Sequence, residues 1–256
     1  MLRYDTILLG ASFYSAGYAA RSKGKCLVID RRGVVGSDFC ACLKSNVPCD
    51  TEVDFVSDFR KKLSELGIIA SNGRIHIVPC AMELARFYLE KDIDILLETE
   101  VMSVEKKEKG FLIRIFNRDG LSEIEADKII DTEGRYVGKV KRTLGAMIVA
   151  GTVEPKIPEE IGHIMRERYD SELLFHIVLD EKDDMATARE KMRDVVEKTE
   201  LLGDWQIASV SSDFAWHYDG ITKTTLVNGV FSIPSSSFGD IISAMEGGAR
   251  DASGMA

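Results

Sequence analysis

The first 30 residues constrain the fold of this chain more than any other segment, because they follow the order strand, glycine turn, helix, strand. Residues 4–9 form an apolar run that ends at Gly10, as is typical of a strand buried on both faces. A helical pattern covers residues 13–22, and a second apolar run, Cys26–Ile29, ends at Asp30. A crossover of this length between parallel strands is a βαβ unit. The sequence therefore predicts an α/β fold.

The rest of the chain alternates between helical and strand-like periodicity. Residues 31–50 lack periodicity and contain Gly33, Gly36 and Pro48, which indicates a long loop of the kind that often has a functional role. Turns at Gly110 and Gly120 divide residues 101–131 into a β-meander. Apolar spacing predicts further elements: helices over 51–66, 79–91, 184–201 and 241–250, and strands over 75–78, 93–97, 146–150 and 173–179.

Composition limits the classes of function. Because 45% of its 256 residues are hydrophobic, the chain can bury a full core. It has 42 acidic and 33 basic residues, which give a net charge of −9. This field repels polyanions, so nucleic acid is not an expected partner. We find no basic leader and no apolar stretch of membrane-spanning length, which predicts no membrane association and a cytoplasmic location. The five cysteines are an odd number and favour reduced thiols.

The strongest motif opens the first predicted helix. Gly10, Ser12 and Ser15 occupy the three spaced positions of a dinucleotide turn, and Asp30 stands 20 residues after Gly10. In such a turn the backbone approaches a pyrophosphate, the helix N-terminus faces the anion, and the acidic residue accepts hydrogen bonds from a ribose. Ser12 and Ser15 replace two of the expected glycines. A βαβ unit that only resembles a nucleotide site is therefore the competing interpretation.

Further segments occur in an order that supports a nucleotide site. They are residues 5–10, 27–32, 98–101 and 126–135, followed by Gly239-Asp240 before a helix. In this order they resemble the FAD domains of the glutathione-reductase-like flavoproteins, and among these the simpler FAD-dependent oxidoreductases that lack a separate NADPH domain. The resemblance covers residues 1–138 and 227–252. It implies a Rossmann-type FAD-binding domain with a parallel sheet and a β-meander, plus a small inserted α+β module.

The resemblance also implies roles for individual positions. FAD is the expected cofactor, and the residues that would bind it are Gly10, Ser12 and Ser15 at the pyrophosphate, Asp30 and Arg31 at the adenosine ribose, Val101 at the adenine, Thr132 and Gly134 in the turn after a strand, and Gly239 and Asp240 at the ribityl chain. Glu133 intrudes into the Ala-Thr-Gly turn that Thr132 and Gly134 match. For Asp240 an ordinary helix N-cap is the competing interpretation.

These expectations lead to a functional hypothesis. Residues 1–143 and 227–256 would form the FAD-binding domain, and residues 144–226 a small α+β substrate or cap module. The chain would be an FAD-dependent oxidoreductase that transfers a hydride or electrons to or from an unidentified small molecule. The alternative is an FAD- or dinucleotide-binding protein without turnover, such as a subunit or sensor. Kinship with tRNA-modifying flavoproteins is disfavoured by the negative charge.

Other reactive residues give weaker signals, and the sequence identifies no catalytic acid or base. Phe214, Trp216, His217 and Tyr218 could line a pocket, although a half-buried strand is the simpler interpretation. His76, His163 and His176 are isolated in the sequence, so no metal site is predicted. Cys40, Cys42 and Cys49 share the loop after Gly36, and we interpret them as incidental thiols. The electron acceptor, use of NAD(P)H and oligomeric state are not encoded in any recognisable motif.

Overall fold

The computed structural model describes residues 2–134, 141–198 and 201–254. The helices are α1 (Phe13–Arg21), α2 (Asp54–Glu65), α3 (Cys80–Glu90), α4 (Met185–Lys198) and α5 (Ile241–Ala252). The strands are β1 (Leu2–Leu9), β2 (Cys26–Ile29), β3 (Asp94–Leu96), β4 (Glu100–Lys106), β5 (Phe111–Asn117), β6 (Gly120–Asp131), β7 (Lys141–Val149), β8 (Gly162–Arg166), β9 (Glu172–Leu179), β10 (Gln206–His217), β11 (Thr224–Thr225) and β12 (Phe231–Ser232).

The first sheet contains the predicted βαβ unit. Its parallel part runs in the order β12-β6-β1-β2-β3, and β4, β5 and β6 extend it as an antiparallel meander. Strand β1 lies between β2 and β6, with Leu9 opposite both Ile29 and Asp131. The carboxyl ends of these three strands therefore meet at one edge, which is where ligands bind in open α/β sheets.

Helix α1 is fixed behind this edge by unusually close packing against α5. A Cβ atom at Gly17 would lie 1.8 Å from the carbonyl oxygen of Met245, and one at Gly248 would lie 2.0 Å from that of Tyr14. Only glycine permits such an approach of two helix backbones. The packing holds the N-terminus of α1 at the end of β1.

A second, antiparallel sheet is formed by the middle of the chain in the order β10-β7-β9-β8. One face buries Leu144, Phe175 and Met192 together with other side chains in a core against α4. From the other face, Leu174 joins the core of the first sheet. The predicted fold, a Rossmann-type parallel sheet with a meander and a smaller α+β module, is confirmed.

One predicted strand is absent, and one predicted motif extends beyond the described residues. Residues 75–78 do not form a strand, since only Ile75 makes an isolated bridge, to Ile69. Ile75 and Ile77 are nonetheless buried, so their apolar spacing reflects a buried turn. Arg135, the last residue of the motif at 126–135, lies outside the described residues. None of the helices in the described ranges is long and apolar enough to cross a membrane.

Candidate functional site at the carboxyl edge of the parallel sheet

The turn between β1 and α1 has the backbone geometry that a dinucleotide loop requires. Gly10 has φ +104°, in the region that favours glycine. A Cβ atom there would lie 2.7 Å from Oγ1 of Thr132 and 2.8 Å from Cγ of Glu133. The chain's own turn after β6 therefore occupies the space that glycine leaves open.

Three hydroxyl groups form a network beneath this turn. Ser12 is the N-cap of α1, and its Oγ accepts a hydrogen bond from the Ser15 amide at 3.1 Å. The Ser15 hydroxyl donates to the Gly10 carbonyl at 2.6 Å, and the Thr132 hydroxyl donates to the Leu9 carbonyl at 2.9 Å. The Ser12 hydroxyl lies 3.0 Å from Ser15 Oγ and 2.9 Å from Thr132 Oγ1. The serines that replace glycine thus bind the turn to β6.

Asp30 lies at the end of β2, as predicted, and is only 2% exposed. Its Oδ2 accepts from the Ala11 amide and its Oδ1 from the Arg32 amide, both at 2.8 Å. Burial, followed by the proximity of Glu133, raises the pKa of Asp30 despite these hydrogen bonds. The carboxylate is therefore fixed against the β1–α1 turn and faces a second acidic group.

Arg32 joins the acidic groups of both sheets. Its Nη1 lies 2.7 Å from Glu133 and 3.6 Å from Asp30, and its Nη2 lies 2.5 Å from Asp213 on β10. Burial opposes the charge of Arg32, but the three carboxylates outweigh it and raise the guanidinium pKa. The sequence identified neighbouring Arg31 instead, because partners 101 and 181 residues away leave no local signal.

Asp38 is a second residue that sequence reasoning missed. It lies in a single π-helical turn, Ser37–Ala41, within the predicted loop. Its Oδ2 accepts from Ser235 Oγ at 2.5 Å, and that Oγ also accepts from the Tyr14 amide at 3.3 Å. Oδ1 is buried without a hydrogen-bond partner among the described residues. Burial raises the pKa of Asp38 to about 6, against the opposing effects of Ser235 and the Phe13 amide.

These groups surround a cavity of about 190 Å³. Its walls come from the β1–α1 turn, the end of β2, the π-helical turn, the turn after β6, strand β10 and the segment before α5. The lining residues are Gly10, Ala11, Ser12, Asp30, Arg31, Arg32, Ser37, Asp38, Thr132, Glu133, Asp213, Phe214, Trp216 and Ser236. Five of the ten predicted cofactor-binding residues, Gly10, Ser12, Asp30, Arg31 and Thr132, belong to this set.

The other predicted positions do not line the cavity. Ser15 supports it from below through Ser12 and Thr132. Gly134 packs where a Cβ atom would meet the hydroxyl of Tyr218 at 2.5 Å. Val101 is a half-buried residue of β4.

The predicted Gly239-Asp240 pair serves as a helix cap. Asp240 accepts hydrogen bonds from the amides of Ile242 at 2.8 Å and Ser243 at 3.1 Å, which makes it the N-cap of α5. Its second oxygen accepts from the Ser243 hydroxyl. The Gly239 carbonyl accepts from the Asn46 side chain. The observed contacts of Asp240 are therefore those of an ordinary helix N-cap, which was the competing interpretation.

The cysteines of the loop are free thiols. Burial raises the pKa of Cys40 well above its ordinary value and that of Cys42 to about 12. Burial also raises the pKa of the half-buried Cys49. Because the thiolate is the reactive form, these thiols are poor nucleophiles at neutral pH.

The histidines do not remain isolated in the fold. His163 on β8 and His176 on β9 are directly opposed in the second sheet, and His217 on β10 lies near both. One ligand atom from each lies within 4.8 Å of the others. The expectation of isolated histidines was therefore wrong for His163 and His176, because strand pairing joins positions that have no characteristic sequence spacing. His76 is not part of this group.

No family model matches the sequence, and no curated protein does. A geranylgeranyl bacteriochlorophyll reductase-like protein from Thermoplasma acidophilum matches 99% of this chain and 78% of its own, with 14% identity and a TM-score of 0.65. A myxobacterial FAD-dependent halogenase of chondrochloren matches 98% of this chain and 73% of its own, with 12% identity and a TM-score of 0.64.

A third match is to aklavinone-11 hydroxylase, solved as a ternary complex with FAD and aklavinone. It covers 97% of this chain and 61% of the hydroxylase, with 13% identity and a TM-score of 0.62. This chain therefore has a fold similar to that of proteins that include FAD-dependent enzymes. This chain spans between 61% and 78% of the length of these three proteins, and at such identities the likeness concerns the fold.

Proposed function

We propose that this chain binds FAD and acts as an FAD-dependent oxidoreductase on a small molecule. The observation that carries the proposal is the cavity at the carboxyl ends of β1, β2 and β6, which combines the Asp30 carboxylate with the N-terminus of α1. Edges of this kind bind dinucleotides in open α/β sheets. The same proposal includes kinship with the glutathione-reductase-like FAD domains. It also divides the chain into an FAD-binding domain, residues 1–143 and 227–256, and a small α+β module, residues 144–226.

The residues at α1 suit the diphosphate of a dinucleotide in one specific respect. No acceptor is recorded, among the described residues, for the amide of Ser12, whereas the amides of Ala11, Tyr14 and Ser15 are bonded within the chain and that of Phe13 interacts with Asp38. Unpaired amides at a helix N-terminus, together with the helix dipole, attract an anion. A phosphate oxygen would be held there by the backbone.

The remaining contacts would be divided among the predicted residues. Asp30 would accept hydrogen bonds from the adenosine ribose, with exposed Arg31 beside it at the rim. Thr132 and Gly134 would border the diphosphate, Val101 the adenine, and the segment Gly239-Asp240 the ribityl chain. Bound flavin would supply hydride or electron transfer, and the chain's own groups would position it and exclude water.

Binding without turnover is the second candidate function, and the size of the cavity favours it. About 190 Å³ is below the roughly 300–1,000 Å³ of typical small-molecule pockets. Arg32, Glu133 and Asp213 all line the cavity, and the ion pairs between them tie the two sheets together. A subunit or sensor that holds only a nucleotide would need no separate space for a substrate.

Titration of the purified protein with FAD, followed by flavin fluorescence, tests the proposal. We expect saturable binding of one FAD per chain, tighter than binding of NAD, and weakened in Asp30→Ala but not in Asp127→Ala, which removes an exposed carboxylate on β6. Absence of FAD binding would refute the first candidate, and absence of both FAD and NAD binding would refute the second. Binding without turnover would be favoured if the protein binds FAD but oxidises NADH and NADPH no faster than free FAD does, and turns over no other donor tested.

A further inference from the structure

The second sheet carries a cluster of three histidines that the proposed flavin chemistry does not use. His163, His176 and His217 project from β8, β9 and β10 on the same face as Thr143, because residues opposed in antiparallel strands share a face. This face is turned toward the loop after the π-helical turn, since His176 Nε2 lies 2.9 Å from the Leu43 carbonyl. The cluster therefore lies between the second sheet and this loop.

A glycine provides the space in which the three rings approach each other. Gly145 is opposite His176 on β7, and a Cβ atom there would lie 2.8 Å from both Cε1 and Nε2 of the imidazole. The ring of His176 thus extends over β7 toward Thr143. Ring centroids lie 5.2 Å apart for His163 and His176, and 5.3 Å for His163 and His217.

The hydrogen bonds fix which nitrogen of His176 carries the proton. The Leu43 carbonyl can only accept, so Nε2–H donates to it. Nδ1 is then the basic nitrogen, and it faces Thr143 Oγ1 at 3.0 Å. A histidine whose far N–H is held by a backbone carbonyl is oriented as metal-binding histidines are.

The other two imidazoles also offer a basic nitrogen. Thr143 donates to His176, so its oxygen accepts from Nε2–H of His217, also at 3.0 Å. This leaves Nδ1 of His217 unprotonated. No hydrogen bond is recorded within the described residues for either nitrogen of His163.

We propose that His163, His176 and His217 form a binding site for a borderline divalent cation, Zn²⁺ or a neighbouring first-row transition metal. The ligand atoms lie within 4.8 Å of one another. Side-chain movements that displace each nitrogen by roughly 1 Å would place all three at about 2.0–2.1 Å from a zinc ion between them. Imidazole suits these metals, whereas Mg²⁺ and Ca²⁺ require oxygen ligands that this cluster lacks.

The surroundings indicate what the fourth ligand would be. Three neutral imidazoles leave the full charge of the cation uncompensated, and the ammonium of Lys44, 3.2 Å from the carbonyl of Trp216 next to His217, opposes it. Lys44 is held by the carbonyls of Trp216 and Ser236, two residues that line the cavity. An anionic fourth ligand, such as hydroxide or the carboxylate of a small molecule, would balance both charges. A site with three histidines and one open position is the arrangement of catalytic rather than structural zinc.

Titration of the untagged 256-residue chain with Co²⁺ tests this site, because the visible bands of Co²⁺ report tetrahedral nitrogen coordination. We expect one equivalent to bind and Zn²⁺ to displace it. His163→Gln should weaken binding at least 10–100-fold, since loss of a ligand costs no less than loss of a supporting contact. His163 is half-buried, so this variant is expected to fold.

His76→Gln is the matched control, because His76 is the one remaining histidine of the four in the sequence and lies outside the cluster. It should bind Co²⁺ like the unmodified protein, and circular dichroism should show that both variants are folded. The proposal is overturned if the unmodified chain shows no saturable binding at millimolar Co²⁺. It is equally overturned if His163→Gln binds unchanged, or if His76→Gln loses binding to the same extent.

Discussion

Replacing Arg32 with methionine is expected to destabilise the fold at neutral pH. The substitution keeps an apolar stem of similar length but removes the guanidinium that joins Asp30, Glu133 and Asp213. Removing one partner of a fully buried ion pair costs about 3–5 kcal/mol. Because the Arg32 side chain is 25% exposed, we expect a smaller loss of about 2–4 kcal/mol in the free energy of unfolding.

The loss should depend on pH in a defined direction. Burial and Glu133 already raise the pKa of Asp30, and removing Arg32 raises it further. A carboxyl with a raised pKa in the folded state destabilises the fold above its unfolded pKa, and protonation in the folded state removes that penalty. The difference between Arg32→Met and the unmodified protein should therefore be largest near pH 8 and shrink as the pH falls toward 5.

Urea unfolding at both pH values measures this difference. Arg114→Met is the matched control, since Arg114 pairs with Glu123 on the exposed side of the meander, where such pairs contribute roughly 0–1 kcal/mol. A loss no larger than that of the control would refute the assigned role of Arg32. So would a loss of equal size at pH 8 and pH 5.

Three further predictions follow from the same site and its support. Asp30→Ala should weaken FAD binding by about 1.5–3 kcal/mol, the contribution of a charged hydrogen-bonding partner, in a fluorescence titration. Ser12→Ala should lower the free energy of unfolding by about 0.5–2 kcal/mol in urea, because it removes the N-cap of α1, whereas Ser12→Gly should cost only a few tenths. Gly248→Ala should cost about 1–3 kcal/mol or more in thermal unfolding, since the new Cβ would overlap the Tyr14 carbonyl, while Gly239→Ala, with no atom within 4 Å, should be nearly neutral.

The sequence predicted those parts of the fold that depend on local pattern. The βαβ unit has strands and a helix within two residues of the expected bounds, because buried parallel strands and a glycine turn leave a continuous signal over 30 residues. Asp30 was placed correctly for the same reason. Ser12 lines the cavity, as a position at the pyrophosphate requires, but the bonds of its hydroxyl to Ser15 and Thr132 were not predicted, because Thr132 is 120 residues away.

The parts that could not be predicted depend on strand pairing and on contacts between sheets. Asp213 meets Arg32 only because β10 packs beside the first sheet. The histidines converge because β8, β9 and β10 belong to one antiparallel sheet and Gly145 leaves room between them. Neither arrangement has a characteristic spacing in the sequence. The sequence alone does not distinguish a buried histidine ring from an exposed one.

Hydrogen–deuterium exchange with and without saturating FAD tests most directly whether the cofactor lies at the N-terminus of α1. We expect slower exchange in peptides that cover residues 10–16 and 28–34 when FAD is present. Helix α4, on the far face of the second sheet, should exchange at an unchanged rate. Saturating FAD that leaves both of these peptides unprotected would contradict the account, because every proposed cofactor contact assumes that the diphosphate lies on this turn.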